Sequence, residues 1–437
     1  MLSPAEVIYW TLIGTGVSLL FSWIPGFHIF NILAVIILIA PALMPIEAFP
    51  FFAIGALVAF VYLNILPSVY FSAADDTLMF LYFPSQRYLS MGRGHEAATL
   101  TIIGAVGGTL ILTASSPILI HIMPIVRNVF TPYLHVILAG VVLFMFMSEW
   151  QKFGDVGKTR LERFVNAWKQ NLAGIFVFFS AGTLGFLLTY RQVVPAEIAY
   201  LNLTPMFIGF FATPWVILNL LAQASIPEQK VDNSVATSPR NILRAYMGGG
   251  LGGYIAAFFP VITGGMGALI AGHLTAQRGD DMFLVNQGTN RFVYYVGALF
   301  LLMVPTLHLT RGGAGWLVGS IYTPKTYTEY YMAVGAILIA SGISAVATWF
   351  LSMVFAKSIN RIGYKRLSLI ALIMLIILVY ILTGLPGLGV MAVSTAIGLV
   401  AALYQTRRSY CLAGIIFPIL LNMTGLSDWY AALLGLI

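Results

Sequence analysis

Residues 7–44 read VIYWTLIGTGVSLLFSWIPGFHIFNILAVIILIAPALM. Two apolar runs flank Trp23-Ile24-Pro25-Gly26-Phe27-His28, and no Asp, Glu, Lys or Arg interrupts them. A helix needs about 20 apolar residues to cross a bilayer core. Proline removes a backbone donor and glycine frees the backbone, so the helix breaks between the runs. In lipid an unpaired backbone group costs several kcal/mol, so such a break must face protein or a wet cavity. The stretch therefore predicts a helical membrane protein with an interrupted helix near its start.

The rest of the chain has the same character. Of 437 residues, 59% are hydrophobic and only 8% charged, against about 25% charged in a soluble domain. Mean hydropathy is +0.92. A soluble protein of this size could not hide that much apolar side chain. A soluble enzyme, a disordered chain and a disulfide-stapled secreted domain are excluded, the last also because Cys411 is the single cysteine. At about 20 residues per span plus connections, the length predicts an all-α polytopic fold of roughly 10–14 membrane segments. No Lys or Arg precedes Arg87, so the first apolar stretch is expected to be an uncleaved helix with its N-terminus outside.

The net charge of +7 is read as cytoplasmic loop charge, not as a nucleic-acid footprint. Lys152, Lys158, Arg160, Arg163 and Lys169 share one loop, Lys357, Arg361, Lys365 and Arg366 another, and Arg407-Arg408 form a third. All three belong on the inside, which places 150–170 and 357–366 in the cytoplasm. Parity of crossings then makes 7–44 and 246–277 paired units, each beginning and ending on one side. The second unit breaks at Phe259-Pro260-Val261-Ile262-Thr263-Gly264-Gly265. The two units face opposite ways, which is the mark of inverted repeats in secondary transporters. The expected division is 1–149 as a first repeat, 150–245 as basic loop and connecting helices, and 246–437 as a second repeat.

Opposed helix starts present free N–H groups and partial positive charge, a natural anion site. Substrate is expected at Pro25, Gly26, His28 and Asn31 in the first break and at Thr263, Gly264 and Gly265 in the second. Asn290 opens the following helix beside Arg291, a candidate anion partner or an interfacial snorkel. Carboxylates near the membrane carry protons or hold Na⁺, so Asp75, Asp76, Thr77 and Asp280 are the coupling-ion candidates. Their ordinary reading is solvated loop acids. Gly248-Gly249-Gly250-Leu251-Gly252-Gly253 lacks the P-loop pattern and is read as close helix packing. His28, His95, His121, His135, His273 and His308 are scattered, and HExxH, CxxC and GxSxG are absent. Neither a resident metal nor a catalytic centre is expected.

The string Ile24-Pro25-Gly26-Phe27-His28-Ile29-Phe30-Asn31 resembles the first Pro-Gly signature of the large permease subunit of tripartite tricarboxylate transporters, in its divergent archaeal-type branch. Asp76-Thr77-Leu78 with Leu81-Tyr82-Phe83-Pro84 and Gly92-Arg93-Gly94-His95-Glu96-Ala97 resembles the acidic-loop block of that branch. Gly288-Thr289-Asn290 and Arg407-Arg408-Ser409-Tyr410-Cys411 with Pro418 follow in the same order. The resemblance implies two inverted repeats with substrate between paired breaks, citrate-like carboxylates as cargo and a cation gradient as drive. It also implies a small membrane subunit and an extracytoplasmic binding protein, and is compatible with a homodimer. The second signature departs from the family pattern, with Pro260-Val261-Ile262-Thr263-Gly264 in place of Pro-Gly-x-Gly.

The leading expectation is a secondary active transporter of a small organic anion, a carboxylate, coupled to Na⁺ or H⁺, and not an enzyme. A polyprenyl-phosphate or other lipid-phosphate translocase is the alternative, since the same helix starts would hold a phosphate. A non-transporting membrane subunit of a larger complex is a further alternative.

Overall fold

The computed structural model describes residues 2–24, 27–71, 82–147, 156–195, 201–221, 227–232, 234–259, 262, 264–275, 278–362 and 364–437. Among these residues there are helices and no strand. In chain order they are α1 (Pro4–Phe21), α2 (Ile29–Leu43), α3 (Phe49–Leu63), α4 (Ile65–Tyr70), α5 (Tyr82–Ser90), α6 (Gly94–Phe130), α7 (Leu134–Met147), α8 (Arg160–Tyr190), α9 (Thr204–Phe207) and α10 (Thr213–Leu221). There follow α11 (Pro239–Phe258), α12 (Gly264–Leu274), α13 (Asp280–Met303), α14 (Gly312–Ile321), α15 (Tyr327–Ile362), α16 (Tyr364–Leu403), α17 (Ala413–Met423) and α18 (Ser427–Leu433).

Local sequence sets several of the ends. Ser3 and Glu6 cap α1 reciprocally, and Thr159 and Glu162 do the same for α8, so helix-start N–H groups find partners. Ser238 caps α11 with Pro239 at its first position, where the missing N–H is no loss. Gly384, at φ +65, breaks α16 just before Pro386.

Among the described residues, seven helical stretches are long and apolar enough to cross a membrane, or eight if the bent pair Arg408–Met423 and Ser427–Leu433 counts as one. The other apolar segments are short. Helices α2, α12 and α14 have 15, 11 and 10 residues. At about 1.5 Å per residue none spans a core of about 30 Å alone. Exposed apolar side chains such as Ile118, Ile125, Leu172 and Ile381 suit a lipid surround.

The chain packs as two units. One comprises 1–128 and 219–371, the other 129–218 and 372–437. Packing units and sequence repeats are different divisions, and each expected repeat contributes to both units.

The first unit is built around α3, in which every residue from Phe49 to Leu63 is buried. Small residues let helices close on it and on each other. A Cβ added at Gly14 of α1 would overlap the Phe52 carbonyl of α3, and one at Gly55 the Thr11 carbonyl. The glycine run of α11 packs in the same way. A Cβ at Gly249 or Gly253 would strike α13, and one at Gly252 would overlap Gly267 of α12.

In the second unit α8 packs on α17, with Gly185 against Gly414. Tyr410 donates to the Met145 carbonyl at 3.0 Å, and the Arg408 guanidinium lies 3.7 Å over the Trp215 ring.

Candidate functional site: two helix starts on α13

Pro25 and Gly26 of the first break lie outside the described residues, as does Thr263 of the second. The helix starts beside them are described. His28 caps α2: its Nδ1 accepts the Phe30 N–H at 3.2 Å. An accepting Nδ1 fixes the neutral tautomer, with the ring proton on Nε2. Nε2 therefore donates to the Tyr295 hydroxyl oxygen, 3.0 Å away. The His28 and Tyr295 rings both pack against Phe60 of α3, at 5.0 and 5.8 Å.

Arg291, one turn before Tyr295, is 1% exposed. Its Nη1 donates to the Val61 carbonyl at 3.0 Å and its Nη2 to Asn64 Oδ1 at 2.8 Å. Asn64 is the joint between α3 and α4, so Arg291 staples a second discontinuity. Such burial excludes snorkelling to an interface. The guanidinium also lies 5.1 Å from the Phe60 ring centroid and 5.5 Å from that of Tyr295, which adds cation–π attraction.

Asn290 serves the other break. Its Nδ2 donates to the carbonyl of Gly264, the first residue of α12. Gly264 and Gly265 are both buried. The Asn290 Oδ1 has no hydrogen-bond partner and sits where a Cβ on Gly252 would come to 2.9 Å. Three residues earlier, Gln287 is fully buried, and neither its Nε2 nor its Oε1 has a partner. Residues three apart share a helix face. Buried amide atoms are nearly always bonded, so open ones mark a place for water or a ligand. The neighbouring Thr289 is satisfied by the Gly104 and Val285 carbonyls and ties α13 to α6.

The stretch of α13 from Asn290 to Tyr295 thus reaches the start of α2 through His28 and the start of α12 through Gly264. Of the residues expected from sequence, the structure joins Asn290 to Gly264, with Gly265 next to it in the chain, and ties His28 to Tyr295 on the same helix α13. Asn31 lies in the first turn of α2, and its side chain is outside the described residues. So are Asp75, Asp76 and Thr77. Asp280 stands apart: it opens α13, about 15 Å along the axis from Asn290, and pairs with exposed Arg87 at 3.0 Å. Sequence reading left Tyr295, Phe60 and Asn64 out. The lone Asn64 inside the apolar run 50–70 was the available signal. No group of three or more His, Cys, Asp or Glu suited to a metal occurs among the described residues.

Comparison with known proteins agrees with this architecture. The family model for the tripartite tricarboxylate transporter TctA family matches residues 8–413. An uncharacterized protein of Methanocaldococcus jannaschii is 23% identical over 411 residues, covering 91% of this chain and 94% of the relative. No solved structure matches. The match runs over nearly the whole chain, so the chain belongs to the tripartite tricarboxylate transporter TctA family, multi-pass membrane transporters that work with further subunits and a binding protein.

Proposed function

We propose that the chain carries a small organic anion, a carboxylate of tricarboxylate type, held between the starts of α2 and α12 and driven by Na⁺ or H⁺. The observation that carries this reading is the set of open amide atoms on α13, Gln287 Nε2 and Oε1 with Asn290 Oδ1. They lie on the helix that touches both breaks. Amide N–H groups donate to carboxylate oxygens, and the two helix starts add partial positive charge. Amide carbonyl oxygens suit a cation, so the same turn serves a coupling ion. Asp75, Asp76, Thr77 and Asp280 remain coupling candidates on the strength of their sequence positions.

A duplicated plan supports alternation between two such halves. Each packing unit takes one stretch from 1–218 and one from 219–437. Within the first unit, α1 on α3 and α11 on α13 are both glycine-mediated pairs that precede or flank a break. We read them as corresponding elements of inverted repeats, with 150–170 and 357–366 cytoplasmic and the N-terminus outside.

The test is reconstitution in vesicles with labelled citrate-type carboxylates under imposed Na⁺ and H⁺ gradients. Gradient-driven uptake that is lost in Asn290→Ala and in Gly265→Leu, both still monodisperse, supports the reading. Uptake by neither gradient, with an isoprenoid phosphate co-purifying instead, overturns it in favour of lipid-phosphate translocation.

A further inference from the structure

The second unit holds a cavity of about 250 Å³ lined by Val156, Asn166, Lys169, Gln170, Leu403, Tyr404 and Gln405. It lies where α8 changes character. The first turns carry Arg160, Glu162, Arg163, Asn166, Lys169 and Gln170, and the next are Leu172, Ala173, Gly174, Ile175 and Phe176. Such a switch, with Trp168 and Tyr404 beside it, is the signature of a membrane–water interface.

Three features of the cavity remain unexplained by folding. Gln170 lines the cavity and is 7% exposed, yet its buried Oε1 has no partner, so an acceptor within the wall lacks a donor. Lys169 holds its ammonium 5.1 Å from the Tyr404 ring centroid at the cavity rim. Gln405 has φ +54. The Gln405 N–H bonds the Ala402 carbonyl at 3.3 Å and the Thr406 N–H bonds Ala401 at 3.0 Å. That is the helix-ending pattern in which glycine is the favoured residue. A glutamine there accepts backbone strain and gains only a side chain at the cavity.

We propose that this cavity binds the headgroup of an anionic phospholipid that carries free hydroxyls, of the phosphatidylglycerol kind. The phosphate lies against Lys169 Nζ and Gln405 Nε2, and a headgroup hydroxyl donates to Gln170 Oε1. The acyl chains run along Leu172, Phe176 and Leu403, which are 61%, 57% and 65% exposed. Leu172 and Phe176 follow Lys169 at three- and seven-residue spacing, on the same face of α8. The cavity lies below the roughly 300–1,000 Å³ of drug-sized sites and suits a headgroup. The interfacial position favours a lipid source over a free polyol phosphate. The site is independent of the transport substrate.

The test is native mass spectrometry of delipidated, detergent-purified protein titrated with phosphatidylglycerol, phosphatidic acid, phosphatidylcholine or water-soluble glycerol phosphate. Phosphatidylglycerol is expected to bind best. Lys169→Gln is expected to weaken it about fivefold, the effect of one basic residue near a lipid phosphate. Gln170→Leu is expected to erase the preference over phosphatidic acid, and Lys158→Gln, a basic residue outside the cavity, to change nothing. Gln405→Gly separates binding from folding: it is expected to raise the melting temperature while weakening phosphatidylglycerol. Equal binding of phosphatidylglycerol and phosphatidylcholine, or full affinity in Lys169→Gln and Gln405→Gly, overturns the proposal. Glycerol phosphate binding as tightly as the lipid assigns the cavity to a soluble metabolite and overturns it too.

Discussion

At the start of α2 the chain places a ring system: His28 caps the helix, reaches Tyr295 at 3.0 Å and leans on Phe60. At the start of α12 the described residues bring two glycines together. Gly252 and Gly267 let the two backbones touch, and Asn290 supplies a polar side chain that crosses to Gly264. Both solutions answer the same problem, a helix end inside an apolar surround. The first is held by hydrogen bonds that water or a ligand can replace. The second is held by the absence of volume, which nothing can replace. The two breaks should therefore fail in different ways.

The largest effect is expected at the glycine contact. In Gly267→Val the new Cβ would overlap the backbone carbonyl of Gly252, which cannot rotate away. Overpacking against fixed backbone costs more than about 3 kcal/mol, so the variant should give no monodisperse peak in size-exclusion chromatography. A folded, active Gly267→Val would show that the second break does not depend on close backbone approach, and the contrast between the breaks would collapse.

Next in size is Arg291→Leu. It leaves the Val61 carbonyl and Asn64 Oδ1 buried without their donor. Two such acceptors cost about 3 kcal/mol together. The measurement is thermal unfolding in detergent, with Arg291→Lys as the partial rescue, since lysine supplies charge but not the fork. Equal stability in Arg291→Leu and the parent would remove the staple from the account.

The helical membrane fold class was legible in the sequence, because composition acts locally, and helices start beside both expected interruptions, at Ile29 and Gly264. The glycine run 248–253 was legible as packing for the same reason: small residues at short spacing signal close approach whatever the partner. The role of α13 was not legible. Asn290, Arg291 and Tyr295 matter through neighbours far away in the chain, Gly264, Asn64 and His28, and no periodicity encodes those pairings. Asp280 makes the same point: its pairing with Arg87, nearly two hundred residues earlier in the chain, is not encoded by any periodicity.

Asn290→Ala should act at the site more than on the fold. It removes the amide whose Oδ1 is open and frees one Gly264 carbonyl. A loss of about 1.5 kcal/mol in binding is roughly tenfold in substrate affinity. Isothermal titration with the transported anion, alongside thermal unfolding, reads the two apart. A drop in melting temperature with unchanged affinity would reduce Asn290 to a structural cap.

The smallest effect is expected at the first break, and it sharpens the comparison most. Tyr295→Phe removes one hydroxyl and His28→Ala one ring, and each should weaken substrate binding by about 1 kcal/mol, roughly fivefold, in a protein that still inserts. Their effects should not add. If the His28 proton on Nε2 orients the Tyr295 hydroxyl toward the anion, the double variant should be little worse than either single one. The coupling is about 0.5–1 kcal/mol. Additive losses would mean that His28 and Tyr295 meet the ligand separately. The α2 start would then resemble the α12 start after all, each side chain acting alone on the backbone or anion beside it.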